Sequence, residues 1–564
     1  MNPFREEAVR LISQHAGIEP PDVDSALTTP PKLQLGDFAF PCFALAKERK
    51  QKPNLLAQEL AGKLGPELDR LGEARAVGPY VNLFVDRRRF ADVVLREAIR
   101  QGVEVGRSTD GDGKVVAMDY SSPNIAKPFH VGHLRSTIIG GALYRLFETL
   151  GYRPLGINHL GDWGTQFGKQ IVGLKRWGKP EDLRDLSALN RLYVKYHQEE
   201  AKNPELAEEA RGWFRKQEEG DSEALRLWQG IRETSLEYFQ RVYERLGVHF
   251  DHYLGESFYN DKMDAVIELA EARRIAKISE GALVIDLTAQ GIETPALLRK
   301  ADGATLYLTR DLAAAMYRKR TYAFHKLLYV VSSAQNLHFQ QLFTCLKLLG
   351  EEWAEDCFHV NFGLIHGMST RKGNVIYLEE LLDEARERAL RKMAETAEHR
   401  PELEDKEAVA EAVGLAAIFF SDLSKLRIKD YQFNWDTAIS FEGDTGPYLI
   451  NAHARIAGIV RKCGVELDPD ADLSPLEEAE AHQLVSLVSR YGETLREAAA
   501  LYEPSVLAGY LLELARALHG SYSKLRVKGE AEKVARARLL LFTVVKNVLA
   551  NGLRILGIAP LERM

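Results

Sequence analysis

Two histidines three residues apart, His130 and His133, stand at the start of a predicted helix. They end the stretch SSPNIAKPFHVGH, which follows an apolar strand at 115–118. Histidines at i and i+3 share one helix face, and a helix that follows a strand begins at the sheet edge where such folds bind ligands. Backbone N–H groups and the helix dipole attract anions there, and Gly132 leaves room for a purine or phosphate. The pattern predicts a nucleotide site.

Paired histidines can also merely cap or line a helix, and they can bind zinc. The strand, loop and helix context favours a nucleotide site over a cap. No further cysteine or histidine lies nearby at metal-ligand spacing, so we predict no metal site. The cysteines also lie far apart and form no C-x-x-C pair, which argues against a zinc ribbon or a disulfide framework.

A second cationic segment is the glycine-flanked stretch GMSTRKGN at 367–374. Arg371 and Lys372 could swing onto a pyrophosphate as cationic clamps do. The alternative is a solvated basic turn.

The order of elements predicts an α/β fold with a Rossmann-like parallel sheet around these residues. A strand, a helix and a second strand near 155–158 form a β-α-β unit, and a polar, helix-rich stretch from about 175 to 276 interrupts the pattern. Strand-like runs then return at 283–287, 305–308, 327–331 and 358–361. Beyond about Tyr377 the pattern is helical to the end.

Helical periodicity at 4–15 and a strand at 78–85 indicate a separate α/β unit at the N-terminus. We therefore expect four parts: an N-terminal α/β domain at 1–112, a Rossmann-like domain at 113–377 with an insertion at about 170–300, a helical connecting region at 378–444 and an all-α domain at 445–564.

Composition restricts the class of protein. The 564 residues are 45% hydrophobic and 27% charged, as in globular proteins rather than disordered or fibrous ones. No apolar run is long enough for a membrane span, and the N-terminus lacks a signal peptide's apolar core, so we expect a cytoplasmic protein with no membrane partner. The net charge of −7 excludes a uniformly basic nucleic-acid coat.

The last segment is nevertheless basic, because residues 521–564 contain nine lysines and arginines against three glutamates. Tyr502, Tyr510 and Tyr522 could stack on unpaired bases, as single-stranded RNA recognition prefers. The alternative is a solvated helix face.

The stretch His130–His133, HVGH, resembles the H-I-G-H motif of class I aminoacyl-tRNA synthetases, with Val131 in place of isoleucine. Residues 121–140 and 158–168 are similar to arginyl-tRNA synthetases in particular, and 306–311 and 440–448 match as well. The resemblance runs along nearly the whole chain.

This resemblance implies that ATP activates L-arginine to arginyl-adenylate, and that the arginyl group then passes to the 3′-terminal adenosine of tRNA(Arg). It implies a Mg²⁺ ion with the ATP, an N-terminal domain that meets the tRNA's outer corner and a C-terminal anticodon-binding domain. We expect a monomer. The ATP-binding set that it implies is His130, Gly132, His133, Met368 and Ser369.

The second signature loop departs from the class pattern. Met368 and Ser369 match it, but its lysine is displaced. In the arginyl family a lysine just before the first motif is thought to compensate, and Lys127 is the matching residue. The catalytic set is therefore His130, His133, Lys127, Lys372 and Arg371, with the choice between Lys127 and Lys372 left open.

A guanidinium substrate requires at least two acceptors, preferably carboxylates, in a fork that lysine would not satisfy. The positions that the resemblance assigns to arginine binding are Asp119, Asn124, His130, Glu256, Tyr307, Asp311 and Gln335. Asn124 and His130 would lie near the α-amino and carboxylate end, and Tyr307 and Asp311 near the side chain.

Two other functions are considered. A catalytically silent RNA-binding paralogue would keep the architecture, but the intact His130, His133, Asp119 and Asp311 argue against it. A tRNA-independent ligase of the same fold should lack the C-terminal helical domain, which is present here.

Overall fold

The computed structural model describes residues 3–30, 33–126, 129–301, 307–367, 377–395 and 405–564. Its N-terminal unit packs helices against a small antiparallel sheet of order β1-β3-β2. The helix predicted at 4–15 and the strand predicted at 78–85 are both confirmed. The elements are α1 (Pro3–Ala16), α2 (Pro20–Ala26), β1 (Phe38–Pro41), α3 (Phe43–Glu48), α4 (Pro53–Leu64), β2 (Leu71–Val77), β3 (Tyr80–Val85) and α5 (Arg87–Gln101).

The central part begins with β4 (Val115–Asp119), whose residues 116–118 are fully buried. Strands covered on both faces read as continuous apolar runs, which is why the sequence revealed this one. The elements that follow are α6 (Leu134–Thr149), β5 (Arg153–Asn158), α7 (Thr165–Trp177), α8 (Leu186–Glu200), α9 (Glu205–Glu218), α10 (Ser222–Leu246), β6 (His252–Tyr253), α11 (Met263–Ala272), β7 (Ala276–Ser279), β8 (Ala282–Ile285), β9 (Ala296–Arg299), α12 (Tyr307–Tyr322), β10 (Lys326–Tyr329), α13 (Asn336–Leu348), β11 (Cys357–His359) and β12 (Ile365–His366).

Five of these strands form one parallel sheet of order β11-β10-β4-β5-β6. β4 lies in the middle, between β5, which follows it in the chain, and β10, which follows about 170 residues later. The chain changes direction across the sheet at this point, and a crevice opens beyond the ends of β4 and β10. The predicted Rossmann-like parallel sheet is confirmed.

Two strand predictions need correction. The run at 283–287 forms β8, but β8 belongs to a separate antiparallel sheet of order β7-β8-β9. The strand predicted at 305–308 is wrong at Tyr307 and Leu308, which begin α12, while 302–306 lie outside the described residues. A four-residue apolar run does not distinguish a strand from a buried helix turn. Leu308, Leu312 and Ala315 are buried at helical spacing, and this burial keeps the segment in α12.

The C-terminal part is helical as predicted, apart from the two-residue β13, which pairs in parallel with β12. Its elements are α14 (Leu378–Glu395), α15 (Lys406–Leu423), β13 (Tyr431–Gln432), α16 (Trp435–Ala438), α17 (Gly446–Lys462), α18 (Ala479–Ala500), α19 (Pro504–Ser521) and α20 (Glu532–Ile555). None of the helices in the described ranges is both long and apolar enough to cross a bilayer.

Helix α6, which follows the two histidines, lies close against the residue after β4. A Cβ atom added to Gly140 would be 2.3 Å from the ring of Tyr120, a buried side chain. Glycine is therefore required here for close packing. On the exposed Gly509 of α19, by contrast, an added Cβ would meet nothing within 4 Å.

We expect opposite effects from the same substitution at these two glycines. Gly140→Ala should lower the free energy of unfolding by about 1 to 3 kcal/mol or more, because Tyr120 and α6 must move apart. Gly509→Ala should raise it by up to about 1 kcal/mol, because alanine favours the helix. Urea denaturation followed by tryptophan fluorescence would measure both, and equal effects would contradict the packing described here.

Candidate active site

The turn after β4 forms the floor of the crevice. Ser121 and Ser122 both have positive φ, 67° and 45°, so the chain turns sharply after Asp119. The Ser122 hydroxyl donates to Asp119 Oδ1 at 2.6 Å and accepts from the backbone N–H of His159 at 3.3 Å. Strained backbone of this kind persists where the surroundings hold it, and it often lies at functional sites.

The next loop lies against the loop that follows β5. Gly161 N–H donates to Pro123 O at 2.9 Å, and a Cβ on Gly161 would come within 3.0 Å of Asn124 Cα. The Asn124 side-chain oxygen accepts from the backbone N–H of Ala126 at 3.0 Å. Asn124 is thus held where the two strand ends meet.

The two histidines of the HVGH stretch lie together at the N-terminus of α6. Their ring centroids are 4.0 Å apart, and His130 Nδ1 accepts from the backbone N–H of Gly132 at 3.1 Å. A Cβ on Gly132 would be 2.8 Å from the His130 ring, so a larger residue would displace it. This arrangement presents two imidazoles and a helix N-terminus to an anion.

Part of the predicted nucleotide set lies outside the described residues, namely Lys127, Met368, Ser369, Arg371 and Lys372. Tyr377, the first described residue after this gap, forms a β-bridge with His130, and Leu378 N–H donates to Phe129 O at 2.9 Å. Tyr377 and Leu378, which follow the basic segment in the sequence, therefore lie beside the HVGH stretch.

Asp311, in the first turns of α12, is held between two other histidines. The Nε2–H of His338 donates to its Oδ2 at 2.6 Å, and Nε2 of His159 lies 3.7 Å from its Oδ1. Burial would raise the pKa of Asp311, but the hydrogen bond from His338 and the charge of His159 outweigh it, and the pKa is lowered. Asp311 is therefore a carboxylate at neutral pH.

Glu256 lies in the same region but in a different environment. It is 8% exposed, and its Oε1 is 3.8 Å from Arg310 Nη1. Burial, together with the nearby Asp311 and Asp162 carboxylates, outweighs Arg310 and raises the pKa of Glu256 to about 7. Near neutral pH this carboxyl therefore changes its charge.

A cavity of about 470 Å³ opens beside these residues. Its lining includes Tyr307 and Arg310 of α12, together with Trp163 and Phe214. Tyr307 is 64% exposed, so its ring is accessible from solvent. The cavity therefore has a cationic and aromatic wall next to the carboxylates.

Asp119 already has internal partners. Its Oδ2 is 2.8 Å from Arg318 Nη2, and the two side chains are 7% and 1% exposed. Burial alone would lower the pKa of Arg318, but the Asp119 carboxylate outweighs burial, and the pKa is raised. Gln335 is exposed at the end of the turn Ser333–Gln335 that follows β10, at the same sheet edge.

The loop that carries Glu256 is fixed by a buried aspartate, Asp162, which is fully inaccessible. Arg232 Nε donates to Asp162 Oδ2 at 2.8 Å, and Ser257 donates through its N–H to Oδ1 and through its hydroxyl to Oδ2. A Cβ on Gly255 would be 2.3 Å from Asp162 Oδ2, so glycine is required for this approach. The structure thereby brings Glu256 to Asp311, although 55 residues separate them.

Sequence reasoning missed four residues of this site: His159, His338, Arg310 and Arg318. Two of them had a signal. His159 directly follows β5, and the residue after a parallel strand lies at the sheet edge where the site forms. Arg318 lies seven residues after Asp311, which places both on the same face of a helix. For Arg310 and His338 we find no such signal.

The C-terminal basic segment differs in part from expectation. Five of its nine cations form ion pairs with acidic residues, and these are Lys524, Lys533, Arg536, Arg538 and Lys546. The prediction that Tyr510 stacks on unpaired bases is wrong, because its side chain is buried, at 4% exposed, and its hydroxyl donates to Leu487 O. Tyr502 accepts from Lys326 of β10 at 3.0 Å.

A parallel sheet of this order, with H-x-x-H at the first helix beyond the central strand, defines a class I aminoacyl-tRNA synthetase. Family models agree: residues 95–435 match "tRNA synthetases class I (R), catalytic domain", 449–564 match the "DALR anticodon binding domain", and 5–85 match the "Arginyl tRNA synthetase N terminal domain". The chain belongs to the arginyl-tRNA synthetases, as the motifs implied.

Individual relatives agree over the full length. An arginine–tRNA ligase of Halothermothrix orenii is 44% identical, with all of both chains covered. One from Ligilactobacillus salivarius is 47% identical over 96% of each chain. The solved Thermus thermophilus arginyl-tRNA synthetase superposes with a TM-score of 0.82 at 27% identity, covering 100% of this chain and 99% of that one.

Proposed function

We propose that the pocket around Asp311 selects L-arginine for the reaction of this family. The enzyme is an arginine–tRNA ligase: it activates L-arginine with ATP and transfers the arginyl group to tRNA(Arg). The observation that carries the proposal is the position of the Asp311 and Glu256 carboxyls, which lie at the same sheet edge as the paired histidines. A binding site for a cation beside a binding site for an anion suits two substrates, namely an amino acid that carries a guanidinium and a nucleotide.

The first step is in-line attack of the arginine carboxylate on the α-phosphate of ATP. Such a step needs positioning and charge stabilisation rather than a protein nucleophile. In this proposal His130 and His133 donate to the triphosphate, and Gly132 lets it approach the backbone. Arg371 and Lys372, or Lys127, supply the cationic charge, and Met368 and Ser369 belong to the same loop.

Arginine, the second substrate, lies between the ends of β4 and β5 in this proposal. Asp311 and Tyr307 bind the guanidinium, with Glu256 adding negative charge, and Asn124, His130 and Gln335 meet the α-amino and carboxylate end. Asp119 remains in the proposed set, but Arg318 and Ser122 already bind its carboxylate. Its contribution would therefore be to hold α12, and with it Asp311, in place.

Mg²⁺ fits this scheme as an ion carried by the nucleotide. Within the described ranges no three His, Cys, Asp or Glu side chains form a metal cluster. Mg²⁺ usually keeps several waters and binds substrate phosphates with few protein ligands, so a dedicated cage is unnecessary. When bound, it would neutralise phosphate charge.

The remaining parts would serve the tRNA. The proposed units are 1–112, 113–377, 378–444 and 445–564, with the first against the outer corner and the last at the anticodon. Four cations of the basic segment, Arg526, Lys528, Arg554 and Arg563, are exposed and form no ion pair with the residues that the structure describes. They are the candidates for contacts with RNA phosphates. We further propose a cytoplasmic monomer.

ATP–pyrophosphate exchange tests this function. We expect exchange with arginine and not with lysine or citrulline, measured with and without total tRNA. A requirement for added tRNA would show that activation is coupled to tRNA binding. Exchange in none of these conditions, with tRNA still bound, would favour the silent RNA-binding paralogue instead.

Glu256 should make arginine binding pH-dependent. Since its pKa is about 7, the carboxyl is mostly ionised at pH 8 and mostly neutral at pH 6. The pocket loses negative charge as the pH falls, while arginine stays cationic. We expect the KM for arginine to rise by about fivefold to tenfold between pH 8 and pH 6.

In Glu256→Gln this rise should be lost, because the amide does not titrate. The matched control is Glu268→Gln on the exposed face of α11, which should keep the wild-type profile. A pH profile of Glu256→Gln identical to the wild type would contradict the proposed role of Glu256.

A further inference from the structure

The two oxygens of Asp311 have different surroundings. Oδ2 accepts a short hydrogen bond, 2.6 Å, from Nε2–H of His338. Oδ1 has His159 Nε2 as its neighbour at 3.7 Å, which is too long for a hydrogen bond. One oxygen is therefore engaged by the protein, and the other faces a nitrogen that does not bond to it.

The orientation of His159 is fixed from several sides. Its Nδ1 lies 3.1 Å from Leu254 O, its backbone N–H donates to Ser122 Oγ, and its ring packs against Tyr259 at 5.5 Å between centroids. The side chain is 14% exposed. Its ring is therefore held with Nε2 towards Asp311.

The contact with Leu254 also determines the tautomer. A carbonyl oxygen can only accept, so Nδ1 of His159 carries a proton. The imidazolium, whose charge lowers the pKa of Asp311, keeps the same contact, but a guanidinium cation beside the ring favours the neutral imidazole, in which Nε2 presents a lone pair. With a guanidinium in the pocket, Nε2 of His159 and Oδ1 of Asp311 are thus two acceptors side by side.

We propose that His159 is a specificity-determining residue, whose Nε2 accepts a second hydrogen bond from the arginine guanidinium bound at Asp311 Oδ1. The inference rests on the proposed arginine site. A guanidinium has five N–H donors in a fixed plane and can serve both acceptors at once. The ureido group of citrulline has an oxygen in place of one nitrogen, so in one orientation it turns an acceptor towards an acceptor.

Two variants of His159 separate this role from a structural one. The amide nitrogen of Asn in His159→Asn can still donate to Leu254 O but does not reach the position of Nε2. The longer side chain of His159→Gln can bring an amide oxygen to that position, but it gives up the contact with Leu254. His159→Asn therefore removes the acceptor and keeps the contact with Leu254, whereas His159→Gln keeps the acceptor and removes that contact.

Steady-state aminoacylation with arginine is the measurement. We expect His159→Asn to raise the KM for arginine about tenfold to a hundredfold, as the loss of a hydrogen bond to a charged group does. The kcat and the KM for ATP should change by less than about threefold, and His159→Gln should stay close to the wild type. His252, the half-buried histidine of β6 that stacks on Tyr322, gives the matched control His252→Asn with an unchanged KM.

Near wild-type kinetics in His159→Asn together with a damaged His159→Gln would overturn the proposal, because the Leu254 contact alone would then matter. A parallel loss in the KM for ATP would overturn it as well. A wild-type protein that fails to charge tRNA with arginine would instead contradict the proposed function, so the two failures are distinguishable.

Discussion

The buried ion pair between Asp119 and Arg318 joins the end of the central strand to helix α12, and the site depends on it. Breaking such a pair leaves an uncompensated buried charge, which costs about 3 to 5 kcal/mol. Arg318 lies two turns after Asp311 on the same helix face, so the pair also sets the height of Asp311 above the sheet. A guanidinium of the protein itself thus lies beneath the site proposed for a substrate guanidinium.

The carboxyls of Asp311 and Glu256 lie in different environments, which shift their pKa values in opposite directions. His338 and His159 hold the pKa of Asp311 low, whereas burial raises that of Glu256 to about 7. Environments that push two pKa values apart commonly mark separate roles in one site. In the proposed arginine pocket, Asp311 would provide a permanent charge and Glu256 a charge that depends on pH near neutrality.

The sequence predicted much of this fold because its signals are local. The apolar run of β4, the helix that begins after the paired histidines and the helical C-terminal part were all visible in short windows. The beginning of α12 was not, because a short apolar run is compatible with a strand or a helix until its burial is known. The position of β8 in a second sheet depends on pairing partners that a single strand does not reveal.

The site was predictable in its residue types but not in its partners. His338 meets Asp311 from a different helix, and His159 meets it from a different strand end, so no spacing in the sequence shows either contact. The number of unpaired cations in the C-terminal segment was overestimated for the same reason. Glu478, Asp468 and Asp472, which neutralise three of them, lie 60 to 68 residues before their partners in the sequence.

Recognition of the arginine guanidinium by the ionised carboxylate of Asp311 is best tested by kcat/KM for arginine in tRNA charging by Asp311→Asn. Asp264→Asn, on the exposed face of α11, is the control. We expect a loss of about a hundredfold or more in the first variant, as for a charge left without its partner, and little change in the second. A kcat/KM close to the wild type in Asp311→Asn would contradict the account.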